Sequence, residues 1–211
     1  MSKTKVCILD YGSGNVRSVY NVIRHLQFDV VVTNNTKEIR NSTHVILPGV
    51  GAFPSSMKKI ESSIPLATLE IEILEKGKPF LGICVGMQVL ADSGSEHESC
   101  KGLGWIGGSV KKLCADGDGL SLPHIGWNDI SITKQSQIFN GLKDYRDFYY
   151  VHSYAFDVED KSHVLAHTEY GSNFTSIVCK DNIYGFQFHP EKSQRAGQLL
   201  LNNFIKMYEK E

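Results

Sequence analysis

No apolar run in these 211 residues approaches the ~20 that a membrane-spanning helix needs, so no membrane partner is expected. A dominant charge is missing as well. The 22 Lys+Arg and 23 Asp+Glu are scattered along the chain, which argues against a nucleic-acid-binding arm or a polybasic membrane surface. The N-terminal Met1-Ser2-Lys3-Thr4-Lys5 runs into an apolar segment stopped at Asp10, too short for a signal peptide and without a small-residue cleavage site, so a cytoplasmic location is expected. The cysteines at 7, 84, 100, 114 and 179 are odd in number, dispersed and free of any Cys-x-x-Cys pair, which excludes a disulfide framework or a zinc knuckle. No phosphate-cradling glycine loop, internal repeat or low-complexity tract is present. The expectation is one domain over 1–211, with neither metal nor cofactor.

What is present first is an alternation of strand-like and helix-like segments, the βαβα order that builds a parallel sheet with helices on its faces. Strands are expected at Val6–Leu9, Asp29–Thr33, Val45–Leu47 and Phe80–Ile83. Val16, Val19, Ile23 and Leu26 fall at helical spacing, and further helices are expected near 54–61 and 65–76. From about Gly104 the chain changes to short strands and turns: Trp105–Leu113, Ser131–Thr133, Phe148–Val151, Val164–His167, Ser176–Cys179 and Tyr184–Phe188. With no linker between the halves, this region reads as an antiparallel extension of the same sheet. Loops are expected at Asp92–Lys101 and Ala115–Ser121. Leu200, Leu201, Phe204, Ile205 and Tyr208 stripe a last helix over about Gln194–Glu209.

The densest chemistry lies in Pro79-Phe80-Leu81-Gly82-Ile83-Cys84-Val85-Gly86-Met87-Gln88, where a buried strand enters Gly-x-Cys-x-Gly and then a helical pattern. This is the thiol counterpart of the Gly-x-Ser-x-Gly nucleophile elbow. A nucleophile at the tip of so tight a turn sits in strained backbone, and the residues two before and two after it must be small. A following helix would favour thiolate at Cys84, and the Val85 amide would face a developing oxyanion. An ordinary buried thiol is the usual fate of a free cysteine, and that reading is kept for Cys7 and Cys179 in apolar strands.

A nucleophilic thiol needs a base. Among eight histidines, His189 stands out because it follows a strand and opens His189-Pro190-Glu191-Lys192-Ser193 just before the last helix. Cys84 and His189 both sit at carboxyl ends of strands, where parallel-sheet enzymes gather catalytic groups. Glu191, its link stiffened by Pro190, can accept the other imidazole proton and fix the tautomer. A metal site at His189 lacks a second ligand at helix or hairpin spacing.

The Gly82-to-Gln88 segment together with His189-Pro190-Glu191 resembles the triad-type, or class I, glutamine amidotransferases. Asp10-Tyr11-Gly12-Ser13-Gly14-Asn15, Pro48-Gly49-Val50-Gly51-Ala52-Phe53, Pro123-His124-Ile125-Gly126-Trp127-Asn128 and Val151-His152-Ser153-Tyr154 extend the likeness, in order, almost end to end. They resemble the branch that serves imidazole glycerol phosphate formation in histidine biosynthesis. The resemblance implies a flavodoxin-like α/β fold, a mixed and mostly parallel sheet flanked by helices, and glutamine as substrate. It implies Cys84, His189 and Glu191 as catalytic triad, and an oxyanion hole of Val85 with the mobile Val50 and Gly51. Gly49, Gln88, Ser153 and Tyr154 are the implied glutamine contacts. The implied partner is a cyclase with a (β/α)8 barrel, met by Asn15, Trp127, Asn128 and Tyr149, although Trp127 by itself would read as core. A paralogous glutaminase feeding another synthase, such as one that amidinates a sugar, would keep the same motifs. A non-catalytic scaffold of this fold is disfavoured by the complete triad.

Overall fold

The computed structural model describes residues 4–114, 120–142 and 146–209. Its backbone is built from the strands β1 (Lys5–Ile8), β2 (Asp29–Val32), β3 (His44–Gly49), β4 (Phe80–Cys84), β9 (Ser131–Ile132), β12 (Val164–Tyr170), β13 (Ser172–Lys180) and β14 (Ile183–Phe186). They form one eight-stranded sheet in the order β2-β1-β3-β4-β14-β13-β12-β9. The first five in sheet order run parallel and the rest join antiparallel. β3, β4 and β14 are buried at every position, which is why they read as unbroken apolar runs rather than alternating ones. Helices α1 (Val16–His25), α2 (Thr36–Asn41), α3 (Phe53–Ser63), α4 (Leu66–Glu70), α5 (Val85–Gln88) and α6 (Gln194–Lys206) complete this α/β fold. α4 runs on into a π-helical turn at Ile71–Glu75, so the helical stretch expected over 65–76 holds two geometries.

The antiparallel extension is only part of the second half. β12, β13 and β9 provide it, but β14 lies in the middle of the sheet and parallel to β4. The remaining strands form two smaller sheets. One pairs β8 (His124–Asp129) with β10 (Asp147–His152); the other orders β11 (Tyr154–Val158), β7 (Gly108–Lys112), β5 (Ser93–Gly94) and β6 (Cys100–Lys101). β5 and β6 fall inside the segment expected to be a loop from Asp92 to Lys101. Of the loop expected at Ala115–Ser121, residues 115–119 lie outside the described residues.

The short sheets are held by packing on the large one. Phe148 of β10 stacks on Phe188 with ring centroids 4.1 Å apart, and Phe188 stacks on Phe186 of β14. These rings are fully buried and hold β10 against the segment that leaves β14. No helix among the described residues is long and apolar enough to cross a membrane.

Candidate active site

The register of the central strands decides where the chemistry can sit. Gly49, the last residue of β3, pairs with Cys84, the last of β4, so the loop through Val50 and Gly51 emerges beside the thiol. β14 ends next to β4, and three residues later the chain reaches His189. The strand ends thus bring together groups far apart in sequence.

Cys84 has φ 55 and ψ −114, a left-handed conformation that costs a non-glycine residue on the order of 1–3 kcal/mol. Neighbouring glycines make room for it. A Cβ on Gly82 would overlap the Gly86 carbonyl, and one on Gly86 would overlap the Leu47 carbonyl, so neither position accepts a side chain without moving backbone. The helix beyond Cys84 is shorter than its sequence pattern implied. α5 is a single turn, Val85–Gln88, and offers a correspondingly small macrodipole. Local amides and His189 must supply most of the polarity at the sulfur.

His189 is fixed from four sides. Its backbone N–H donates to the Tyr149 carbonyl (2.9 Å), and its own carbonyl accepts from the Ser193 hydroxyl (2.6 Å), which in turn accepts from the Tyr149 N–H (3.0 Å). The ring Nδ1 lies 2.9 Å from Glu191 Oε1. That contact leaves Nε2 free to serve the Cys84 sulfur, which lines the same cavity. Burial alone pulls the imidazole pKa down, but the facing Cys84 sulfur and the Glu191 carboxylate outweigh it and raise the value to about 10. The ring therefore keeps its second proton through neutral pH and loses it only as the pH climbs toward 10. Imidazole ¹⁵N NMR checks this. Cys84→Ala removes the leading upward influence and is expected to pull the titration back down.

The cavity above these groups measures about 160 Å³ and is lined by Cys84, Val85, Val50, Gly51, Ser153, Tyr154 and His189, together with Asn15 and Gln88. Gly51 has φ +105, and the Val50 carbonyl accepts from the Ser13 hydroxyl (3.1 Å). Gln88 is buried, with Nε2 donating to the Tyr154 carbonyl (2.8 Å) and to Gln187 Oε1 (3.1 Å), so Oε1 is its remaining polar atom. Gly49 backs the site: a Cβ there would press on the Gly86 amide and the Tyr11 hydroxyl.

The four residues assigned to a partner surface divide. Trp127 is 48% exposed rather than core, and its ring meets Tyr149 edge-on at 6.0 Å. Asn15 and Asn128 turn inward. Asn15 donates to Glu191 Oε1 (2.9 Å), and Asn128 donates to the Glu169 carbonyl (2.9 Å). Among the described residues no cluster of three or more His, Cys, Asp or Glu is placed to hold a metal ion.

The family model described as glutamine amidotransferase class-I matches residues 7–207. The chain belongs to the class I glutamine amidotransferases. This amidotransferase is similar to the imidazole glycerol phosphate synthase subunit HisH of Pelagibacter ubique (strain HTCC1062), 45% identical over 206 residues that cover 96% of this chain and 99% of the relative. The subunit of the same name from Zymomonas mobilis subsp. mobilis is 46% identical over 209 residues, 97% of this chain and 96% of the relative. Among solved structures, PurLQS from Thermotoga maritima superposes with TM-score 0.74 at 17% identity, over 98% of this chain and 100% of that one. A glutamine amidotransferase from Thermotoga maritima gives 0.70 at 17% identity, over 100% of both chains. At such identities the likeness is one of fold, and it agrees with the mixed sheet flanked by helices.

Two residues of the amidotransferase pocket carry no sequence signal. Glu96 lines the cavity, its Oε2 accepting from the Phe53 N–H (2.8 Å) at the start of α3. Gln187 is fully buried and directs Nε2 toward the Cys84 sulfur at 3.9 Å. Glu96 falls in a segment without a recognisable pattern, and Gln187 reads as one polar residue inside the Tyr184–Phe188 strand.

Proposed function

We propose that this amidotransferase is the glutaminase subunit of a cytoplasmic imidazole glycerol phosphate synthase, cleaving glutamine and passing ammonia to a (β/α)8-barrel cyclase. The observation that carries the reading is the agreement of several relatives near 45% identity, aligned over almost their whole length, on the HisH name.

In this reading Cys84 Sγ attacks the carboxamide carbon of glutamine. The tetrahedral oxyanion is met by the Val85 amide and by an amide of the Val50–Gly51 loop. His189 hands its Nε2 proton to the amide nitrogen as the C–N bond breaks, so ammonia leaves and a γ-glutamyl thioester remains. The now neutral ring takes a proton from water, hydroxide adds to the thioester, and glutamate departs as the C–S bond breaks. Glu191 holds the imidazole through Nδ1, and the Asn15 amide holds Glu191 in turn. Glu96, the carboxylate lining the cavity apart from the triad, suits the α-ammonium of the amino acid, Ser153, Tyr154 and Gln88 form further walls, and Gly49 stands behind them at the end of β3.

The docking face is the outer side of β8 and β10. Ile125 is 60% exposed and sits opposite Val151, Trp127 sits opposite Tyr149, and Val151 also lines the cavity. An apolar patch at the rim of the pocket suits a partner that receives the product directly. Purifying the chain from its own cells tests the reading. A copurifying cyclase that makes imidazole glycerol phosphate from glutamine is the expected result, and a sugar-amidinating synthase in its place would overturn the histidine assignment while keeping the glutaminase.

A further inference from the structure

Two histidines at the pocket, His152 in its wall and His124 behind it, are not used by the chemistry above. His124 on β8 and His152 at the end of β10 are both buried and paired across the strands, with His124 Nδ1 3.2 Å from His152 Nε2. His152 Nδ1 lies 2.9 Å from the Tyr154 carbonyl, and Asn128 Nδ2 lies 3.4 Å from His124 Nε2. One proton arrangement satisfies every contact. A carbonyl only accepts, so His152 carries its proton on Nδ1 and its Nε2 accepts. His124 must then donate from Nδ1, which leaves its Nε2 to accept from the Asn128 amide. Both rings are neutral and both are Nδ1–H tautomers. Their surroundings agree: His124 stacks between Tyr170 (4.0 Å) and Tyr150 (4.9 Å), and burial lowers the pKa of His124 to about 4 and of His152 to about 3.

The far end of this chain is the glutamine pocket. The Tyr154 carbonyl accepts a second hydrogen bond from Gln88, whose amide also holds Gln187, and Gln187 faces the Cys84 sulfur. The near end is Asn128, beside the exposed Trp127. We propose that His124 and His152 are positioning residues for glutamine cleavage, a neutral imidazole pair that ties Asn128 on the exposed β8–β10 face to the Tyr154 carbonyl and, through it, to Gln88 and the nucleophile. The inference rests on the glutaminase reading. His124 does not line the cavity but His152 does, so the hydrogen-bonded route from His124 to glutamine runs through His152.

His124→Phe deprives His152 Nε2 of its buried donor and frees the ring to abandon the Tyr154 carbonyl. Glutamate release by the full chain should then show a glutamine KM raised about tenfold, the effect of one unsatisfied buried acceptor. His124→Asn restores a donor near the Nδ1 position and should keep KM within about twofold of wild type. A merely structural histidine would lower the amount of active protein, and so the apparent kcat, equally in both variants without moving KM. Imidazole ¹⁵N NMR reads the pair without turnover: both rings are expected as Nδ1–H tautomers in the wild type, and L-glutamine added to the Cys84→Ser chain is expected to shift the His124 resonances. An Nε2–H tautomer at either ring, no response of His124 to glutamine, or a wild-type KM in His124→Phe overturns the proposal. A wild-type chain that releases no glutamate overturns the glutaminase reading instead, and the tautomers still decide the positioning of Tyr154.

Discussion

Cys84→Ala is expected to reduce glutamate release by a factor on the order of 10⁴ or more, the scale on which covalent catalysis is lost when its nucleophile is removed. The other described thiols offer no substitute. Cys7 is sealed in β1, where burial pushes its pKa up to about 12, and Cys100, Cys114 and Cys179 do not line the cavity. The variant should fold, because alanine fits within the volume of a buried thiol that forms no disulfide, and the turn is made by Gly82 and Gly86 rather than by the sulfur. Two assays separate the nucleophile from the scaffold: glutamine-dependent synthesis by the assembled complex should vanish, while synthesis supplied with ammonium salts should continue at the wild-type rate. Residual glutaminase within tenfold of wild type would remove Cys84 from the mechanism. Loss of the ammonia-dependent reaction as well would mean that the substitution had damaged the complex rather than the chemistry.

How much of this site could be read before folding depends on whether the constraint is local. The elbow is local: a strand that buries both faces, a nucleophile at φ 55 and carbonyls pressed against Gly82 and Gly86 all leave their mark within a few residues. α1, α3 and α6 are local too, since each buries one stripe of side chains at helical spacing. α2 left no comparable trace, because its six residues bury one side chain, Ile39, and depend on Asn35 accepting from two amides. β8 was hidden for another reason: it turns His124 and Asn128 toward a buried aromatic cluster and Ile125 and Trp127 toward solvent, the reverse of an ordinary half-buried strand. The same inversion explains why Trp127, which composition would place in a core, lies on the surface. Glu96 and Gln187, and the bond from Asn15 to Glu191, became legible only in three dimensions, where the strand register brings these residues to the triad and the pocket.

Glutamate release by the chain alone is expected to be slow and to rise about 10²–10³-fold when its synthase partner binds together with the acceptor substrate. That factor is the usual worth of one oxyanion-hole donor. The source of the increment is the loop between Gly49 and Phe53. Gly49 packs so closely on the Gly86 amide and the Tyr11 hydroxyl that a Cβ there would lie 2.6 Å from each, whereas nothing lies within 4 Å of a Cβ built on Gly51. The loop therefore borders open space at Gly51, and a contact that opposes rotation of the Val50–Gly51 peptide is the hydrogen bond from the Ser13 hydroxyl to the Val50 carbonyl. One such bond is worth roughly 0.5–1.5 kcal/mol, small enough for a docked partner to offset. Because the Val50 carbonyl and the Gly51 amide belong to one peptide plane, turning one reverses the other. Ser13→Ala then separates this device from simple recruitment: it should raise the basal rate of the isolated chain up to about tenfold and shrink the stimulation by the same factor, leaving the fully assembled rate unchanged. A chain that is fully active alone, or a Ser13→Ala variant with unaltered basal rate, would place the control elsewhere.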